Sequence, residues 1–178
     1  MCKFRDLKAD EIECRVAQAN EYGVTLLLYK DARCDMNILD ETVGSLNWQR
    51  QHTRDNANCI VSIWDEKKQQ WISKEDTGTE SNTEKEKGLA SDSFKRACFN
   101  FGIGRELYTA PQIRISPDKC ASLKEYGGKW KCFDNFKVEA IRIENKRIVA
   151  LSILNGNGKR CYVWQDEAWK AKQGVANG

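Results

Sequence analysis

The spacing of hydrophobic positions changes several times along the chain, and each change marks an element. Over residues 83–104 the stretch TEKEKGLASDSFKRACFNFGIG places Ala90, Phe94, Ala97, Cys98 and Phe101 three and four apart. That is the period of a helix with one buried stripe. Thr83 followed by Glu86 has the form of a capping box, and Gly102 supplies a stop after Phe101. Residues 24–29, VTLLLY, form a continuous apolar run instead, the mark of a well-buried strand. Asp31 then caps a helix on which Ala32, Met36, Leu39 and Val43 keep helical spacing until Gly44. Residues 4–20 also read as a helix, with Asp10 and Glu13 as a capping pattern, Ile12, Val16 and Ala17 inward, Arg15 along it, and Gly23 closing the segment.

Elsewhere the pattern is that of strands. Residues 47–54, 58–64 and 71–80 are joined by connections short enough for hairpins and predict an antiparallel meander. After residue 104 comes a connector to residue 131 holding Pro111, Pro117 and Gly127-Gly128, with one short strand near residues 113–115. Residues 136–143, 147–154 and 160–164 read as three more strands, with turns at Asn145-Lys146 and at the NGNG of residues 155–158. The expected fold is α+β: an antiparallel β-β-β-α core with an additional N-terminal helix and strand and a C-terminal β-hairpin region. It forms one domain over residues 1–165, with the core at 10–110 and the β region at 111–165, followed by a polar tail over 166–178.

Length and composition narrow the class. A chain of 178 residues can bury a core without staples, and 40% apolar with 31% charged is ordinary for a soluble protein. The formal charge of +3 hides an asymmetry, because acidic residues outnumber basic ones up to Ala110 and the basic surplus lies in the last third. That is compatible with a nucleic-acid partner without requiring one. The eight cysteines show no C-x-x-C spacing and His52 is the only histidine, so neither a disulfide framework nor structural zinc is expected. The cysteines read as small hydrophobes of a reducing cytoplasm. No apolar run approaches 18 residues and no signal peptide is evident, so membrane insertion and export are not expected.

Most catalytic motifs are missing. Gly128-Lys129 and Gly158-Lys159 lack the rest of a P-loop, Gly102 and Gly104 follow a helix without a third glycine, and no G-x-S-x-G occurs. No cofactor is expected. A Cys/His pair would have to borrow His52. A Mg²⁺ nuclease has more material, since Asp65, Glu66, Lys67 and Lys68 contain D-x-K and E-x-K spacings and Glu75 and Asp76 follow on the next strand. Yet a hairpin tip carries mixed charge by default.

The binding reading draws on more elements. Lys95 and Arg96 fall on the outer face of the helix with Asp92 and Phe99 between them. They are either a solvated pair, with Asp92 bonding Arg96 at i, i+4, or cations aimed at phosphates. On the first meander strand Trp48, Arg50, His52 and Arg54 alternate onto one face, so that neither face is a dry core face. Arg15 and Arg105 add cations on other elements, and Tyr108 adds an aromatic.

The order of elements and several motifs resemble the Rad-fifty-two family of single-strand annealing proteins, in particular the small annealing recombinases of bacteriophages. The resemblance runs from about Asp10 to Ala110. It rests on DEIECR at residues 10–15, VTLLLYKDARCDMNILDETVG, Asn47-Trp48, and above all ASDSFKRACFNFGIGRELY at residues 90–108. It implies subunits joined side by side in rings or arcs, with single-stranded DNA in a groove between sheet and helix. Lys95 and Arg96 match the family's phosphate-contacting pair, and Arg15 matches an arginine contributed from the first helix. Phe99 stands where eukaryotic members carry a further arginine, and nothing after Pro111 is carried over. The implied activity is ATP-independent annealing of complementary single strands in recombination and double-strand break repair. The implied partners are single-stranded DNA, a complementary strand, further copies of the chain and a single-strand binding protein, in the cytoplasm of a bacterial host. A passive single-strand binding module and the Mg²⁺ nuclease are the alternatives.

Overall fold

A computed structural model describes residues 3–79 and 85–176. The fold is α+β, built from antiparallel sheets and three α-helices. The chain divides into two compact units that do not follow its order: residues 1–6 with 31–105, and residues 7–30 with 106–178. Thr83 and its capping box lie outside the described residues, as does Glu80.

The N-terminal segment departs most from expectation. Only Ala9–Glu11 turns, as a short 3-10 helix, with the Glu11 carboxylate accepting from the Lys8 amide at 2.8 Å. Strand β1 (Glu13–Asn20) follows and hairpins into β2 (Gly23–Tyr29). Helix propensity is a weak local preference, and β2, which is not the well-buried strand expected because Val24 and Leu26 are buried while Leu27 is 53% exposed, takes backbone partners on both edges. Residues 13–20 supply one of them. On the other edge lies β6 (Ile113–Ile115), so close that a Cβ on Gly23 would stand 2.0 Å from the Ile115 carbonyl oxygen. Gly23 has φ +121°, which together with that approach requires glycine.

In this unit β1 also pairs with β9 (Lys137–Glu144), which pairs with β10 (Arg147–Leu154), which pairs with β11 (Arg160–Gln165). The result is a six-stranded sheet ordered β11-β10-β9-β1-β2-β6, with Leu26, Ile113, Ile115, Ile148, Leu151 and Ile153 among its buried residues. The connector also contains a separate hairpin, β7 (Leu123–Tyr126) and β8 (Lys129–Cys132), turned by Gly127-Gly128. The fully buried Glu106 carboxylate accepts from the Leu7 amide at 2.8 Å and lies 3.8 Å from Lys146 Nζ, tying the two segments of the unit together. The expected polar tail begins as helix α3 (Glu167–Ala176), where the Trp169 indole donates to Glu144 at 3.0 Å.

The other unit carries the predicted central elements. Helix α1 (Ala32–Val43) starts at Asp31, whose carboxylate accepts from the Cys34 amide at 2.9 Å, and ends at Gly44. Its buried side is Cys34, Asp35, Ile38 and Leu39, a stripe rotated from the expected one. Strands β3 (Trp48–Thr53), β4 (Asn58–Asp65) and β5 (Gln70–Thr77) form the meander, followed by helix α2 (Lys85–Asn100). No helix among the described residues is long and apolar enough to cross a membrane.

Candidate nucleic-acid interface

Register explains how α2 meets the sheet. Trp48, Arg50 and His52 of β3 lie opposite Ile63, Val61 and Cys59 of β4, which lie opposite Ile72, Lys74 and Asp76 of β5. With side chains alternating along each strand, these nine residues share one face. That face packs against α2. Phe94, fully buried, has its ring 6.0 Å from that of Trp48 and lies 4.9 Å beneath the Arg50 guanidinium. Ala97 and Cys98 complete the buried contact of α2 while Cys59 and Val61 supply the dry centre of the sheet. The expectation that neither face of β3 meets a dry core is corrected here: its cationic face is the inner one, and Arg50 reaches solvent over the edge of an aromatic.

Arg54 does not continue that face. It sits in the β3–β4 turn with φ +52°, followed by Asp55 and Asn56 also at positive φ, and is exposed. The turn is held by α2, because Ser93 Oγ donates to the Asn56 carbonyl at 3.0 Å and stands 3.4 Å from His52 Nδ1.

On the outer side of α2, Arg96 pairs with Asp76 of β5 at 3.4 Å rather than with Asp92. Asp92 accepts from the amide and hydroxyl of Thr79. Lys95 is half-buried and Arg96 exposed. Arg105 has a structural role the sequence did not announce: it donates from Nε to the Phe99 carbonyl at 2.8 Å and from Nη2 to the Asn100 carbonyl at 3.0 Å. Lys74 joins it, with Nζ 2.6 Å from the Asn100 oxygen and 4.9 Å from the Phe101 ring. The two cations bond carbonyls at the negative end of α2, whose own last turn has no basic residue. Lys74 was missed, although Ile72-Lys74-Asp76 alternates just as Trp48-Arg50-His52 does.

Arg15 belongs to the other unit. It lies on strand β1, not on a helix as the resemblance implied, and pairs with Glu13 at 2.9 Å with its guanidinium 4.3 Å over the Tyr29 ring.

The far face of the three-stranded sheet carries Gln49, Gln51, Ser62, Trp64, Trp71 and Ser73. Ser62 and Ser73 share a 2.7 Å hydrogen bond, and the Trp64 and Trp71 rings meet edge to face at 5.6 Å with Trp71 41% exposed. Of the carboxylates considered for Mg²⁺, Asp65 accepts from the amides of Lys67 and Lys68 through one oxygen, and Glu66 accepts from the Trp64 indole. Cys59 is the register partner of His52, but burial pushes its thiol up to about 11, which keeps it protonated near neutrality. Burial, and then the charge of Arg50, hold His52 below its ordinary range. No family model matches the chain, and neither a curated protein nor a solved structure matches it.

Proposed function

We propose that the chain binds single-stranded DNA and anneals complementary strands without ATP, in bacteriophage-type recombination and break repair. The observation that carries this reading is the junction of β3 and α2: the Arg50 guanidinium lies over Phe94, the residue immediately before Lys95 and Arg96. A strand cation thus meets α2 one residue before the helix pair, on an element order β3-β4-β5-α2 that fits the resemblance. Cations tracking a backbone lower the repulsion between two strands, and base pairing then supplies the driving free energy.

Assembly into rings or arcs fits the same unit, because β3 and β5 are the outer strands of a sheet with no further strand paired to either among the described residues. A row of subunits multiplies avidity beyond that of one weak site. In this reading the protein works in the bacterial cytoplasm, on strands delivered or coated by a single-strand binding protein.

The test is annealing of two labelled complementary oligonucleotides by the purified full chain, with and without Mg²⁺ and without ATP, while strand length is followed. Accelerated duplex formation with intact strands is expected. Binding without acceleration would reduce the protein to a passive module, and strands shortened only with Mg²⁺ would replace the reading by a nuclease.

A further inference from the structure

Seven cysteines lie among the described residues, and they occupy two kinds of surroundings. Cys34, Cys59 and Cys98 are buried in the apolar interior of their unit, as small hydrophobes are. Cys120 and Cys132 are only half-buried, and they adjoin a carboxylate and a hydroxyl. Their sulfurs and a carboxylate oxygen of Asp134 all lie within 4.8 Å of one another.

The surroundings of Asp134 hold it in place. One oxygen accepts from the Ala121 amide at 2.6 Å and the other from the Ser122 hydroxyl, whose oxygen in turn accepts from the Phe133 amide at 2.9 Å. Ser122 Oγ stands 4.0 Å from Cys132 Sγ, and Cys120 Sγ donates to the Ser116 carbonyl at 3.5 Å. A carboxylate fixed by two donors retains lone pairs for a metal, and such outer hydrogen bonds are what orient ligands in metal sites.

The location gives a second, independent observation. Cys120 lies just before β7 and Cys132 ends β8, so both stand at the base of the hairpin, whose strand β8 runs close to β1 while no third strand pairs with it among the described residues. Its aromatic pair, Tyr126 and Phe133, is 49% and 69% exposed. A two-stranded hairpin is marginal in water on its own, and a constraint at its base would add to what contact with β1 supplies. A cation at its open end would provide one, because metal binding contributes directly to folding free energy.

We propose that Cys120, Cys132 and Asp134 bind a zinc ion that closes the base of the β7–β8 hairpin. Both thiols would lose their protons on binding, and a borderline-soft divalent cation with tetrahedral preference suits a donor set of two thiolates and a carboxylate. Zinc–sulfur distances of about 2.3 Å put the donor atoms of a tetrahedral site roughly 3.8 Å apart, so a cluster whose donors lie within 4.8 Å of one another needs a contraction of at most about 1 Å. The spacing between Cys120 and Cys132 hid the site, because the hairpin rather than a tight C-x-x-C turn brings the thiols together.

The experiment uses the full chain purified under reducing conditions, assayed for metal content and then exchanged with Co²⁺. One zinc per chain and a thiolate-to-cobalt charge-transfer band are expected. Cys120→Ser and Cys132→Ser should bind at least tenfold more weakly, whereas Cys34→Ala, in the other unit, should keep the band. Because the serine variants could misfold, the wild-type protein is also melted with a chelator, which should lower Tm until zinc is restored. A metal-free protein with no cobalt band, a band indifferent to both serine variants, or a Cys120–Cys132 disulfide in protein isolated with its thiols blocked would each overturn the site.

Discussion

The guanidinium of Arg105 donates to the carbonyl of Phe99 at 2.8 Å while lying 5.4 Å from the centroid of the same residue's ring. A cation that the sequence placed among the DNA-binding candidates thus bonds the end of α2, and this predicts how its loss reads out. Arg105→Ala should cost about 1 kcal/mol of stability, measured by urea denaturation, since it removes two charge-assisted hydrogen bonds from the negative end of α2. A variant with weakened DNA binding but wild-type stability would contradict that assignment.

Lys95 and Arg96 should behave in the opposite way. The Arg96–Asp76 contact is solvent-exposed and worth less than about 1 kcal/mol, so Lys95→Ala with Arg96→Ala should leave the urea midpoint near wild type. Fluorescence anisotropy on a labelled single strand should show weaker binding, and each lost phosphate contact should flatten the log affinity against log salt slope by about 0.7. An unchanged slope in the folded double variant would remove these residues from the interface.

His52 sets a pH dependence. Its folded-state pKa lies below its ordinary value, so the unfolded chain binds the proton more readily and stability rises with pH across that window. The contribution is present above about pH 6.5 and is lost as pH falls through the depressed folded value. Arg50 and the Asn58 backbone are the groups acting on it besides burial, and the backbone bond works in the raising direction. As the only histidine, its imidazole can be titrated by NMR without assignment, and His52→Gln should flatten this part of the urea-midpoint profile.

Gly78 is required by closeness. A Cβ there would stand 2.5 Å from the Ser93 amide nitrogen and 2.7 Å from the Leu89 carbonyl oxygen, both backbone atoms of α2. Gly78→Ala should therefore destabilise by about 1–3 kcal/mol, with a lowered urea midpoint, as overpacked sites do. Wild-type stability would mean that α2 can move away from the strand at no cost.

Elements defined by neighbours in sequence were legible from it. Asp31 caps α1 through a bond three residues away, the apolar run of β2 forms a strand although Leu27 and Tyr29 are exposed on it, and Asn145-Lys146 turns with both residues at positive φ. Elements defined by distant partners were not. Residues 13–20 satisfy a helical period and a strand pattern alike, and pairing with β2 decides between them. The Gly127-Gly128 turn was visible, but strands as short as LKEY and KWKC carry too little alternation to be seen beside it. The cations Lys95, Arg96 and Arg50 were legible as residues, whereas the diversion of Arg105 depends on the chain folding back past Gly102, which no local pattern records.

The interleaved course of the chain bears on the order in which a ribosome can complete the two units. Residues 31–105 emerge as one contiguous stretch, and α1, the meander and α2 require only the first six residues besides. The β1–β2 hairpin emerges earlier yet waits longer, for its edges are closed by Ile113–Ile115 and by Lys137 opposite Glu13. Until those residues leave the exit tunnel, both edges of the earliest strands stay open to other chains. Translation speed through the last third thus becomes a determinant of yield, and a pause there prolongs the interval in which nascent copies can pair wrongly.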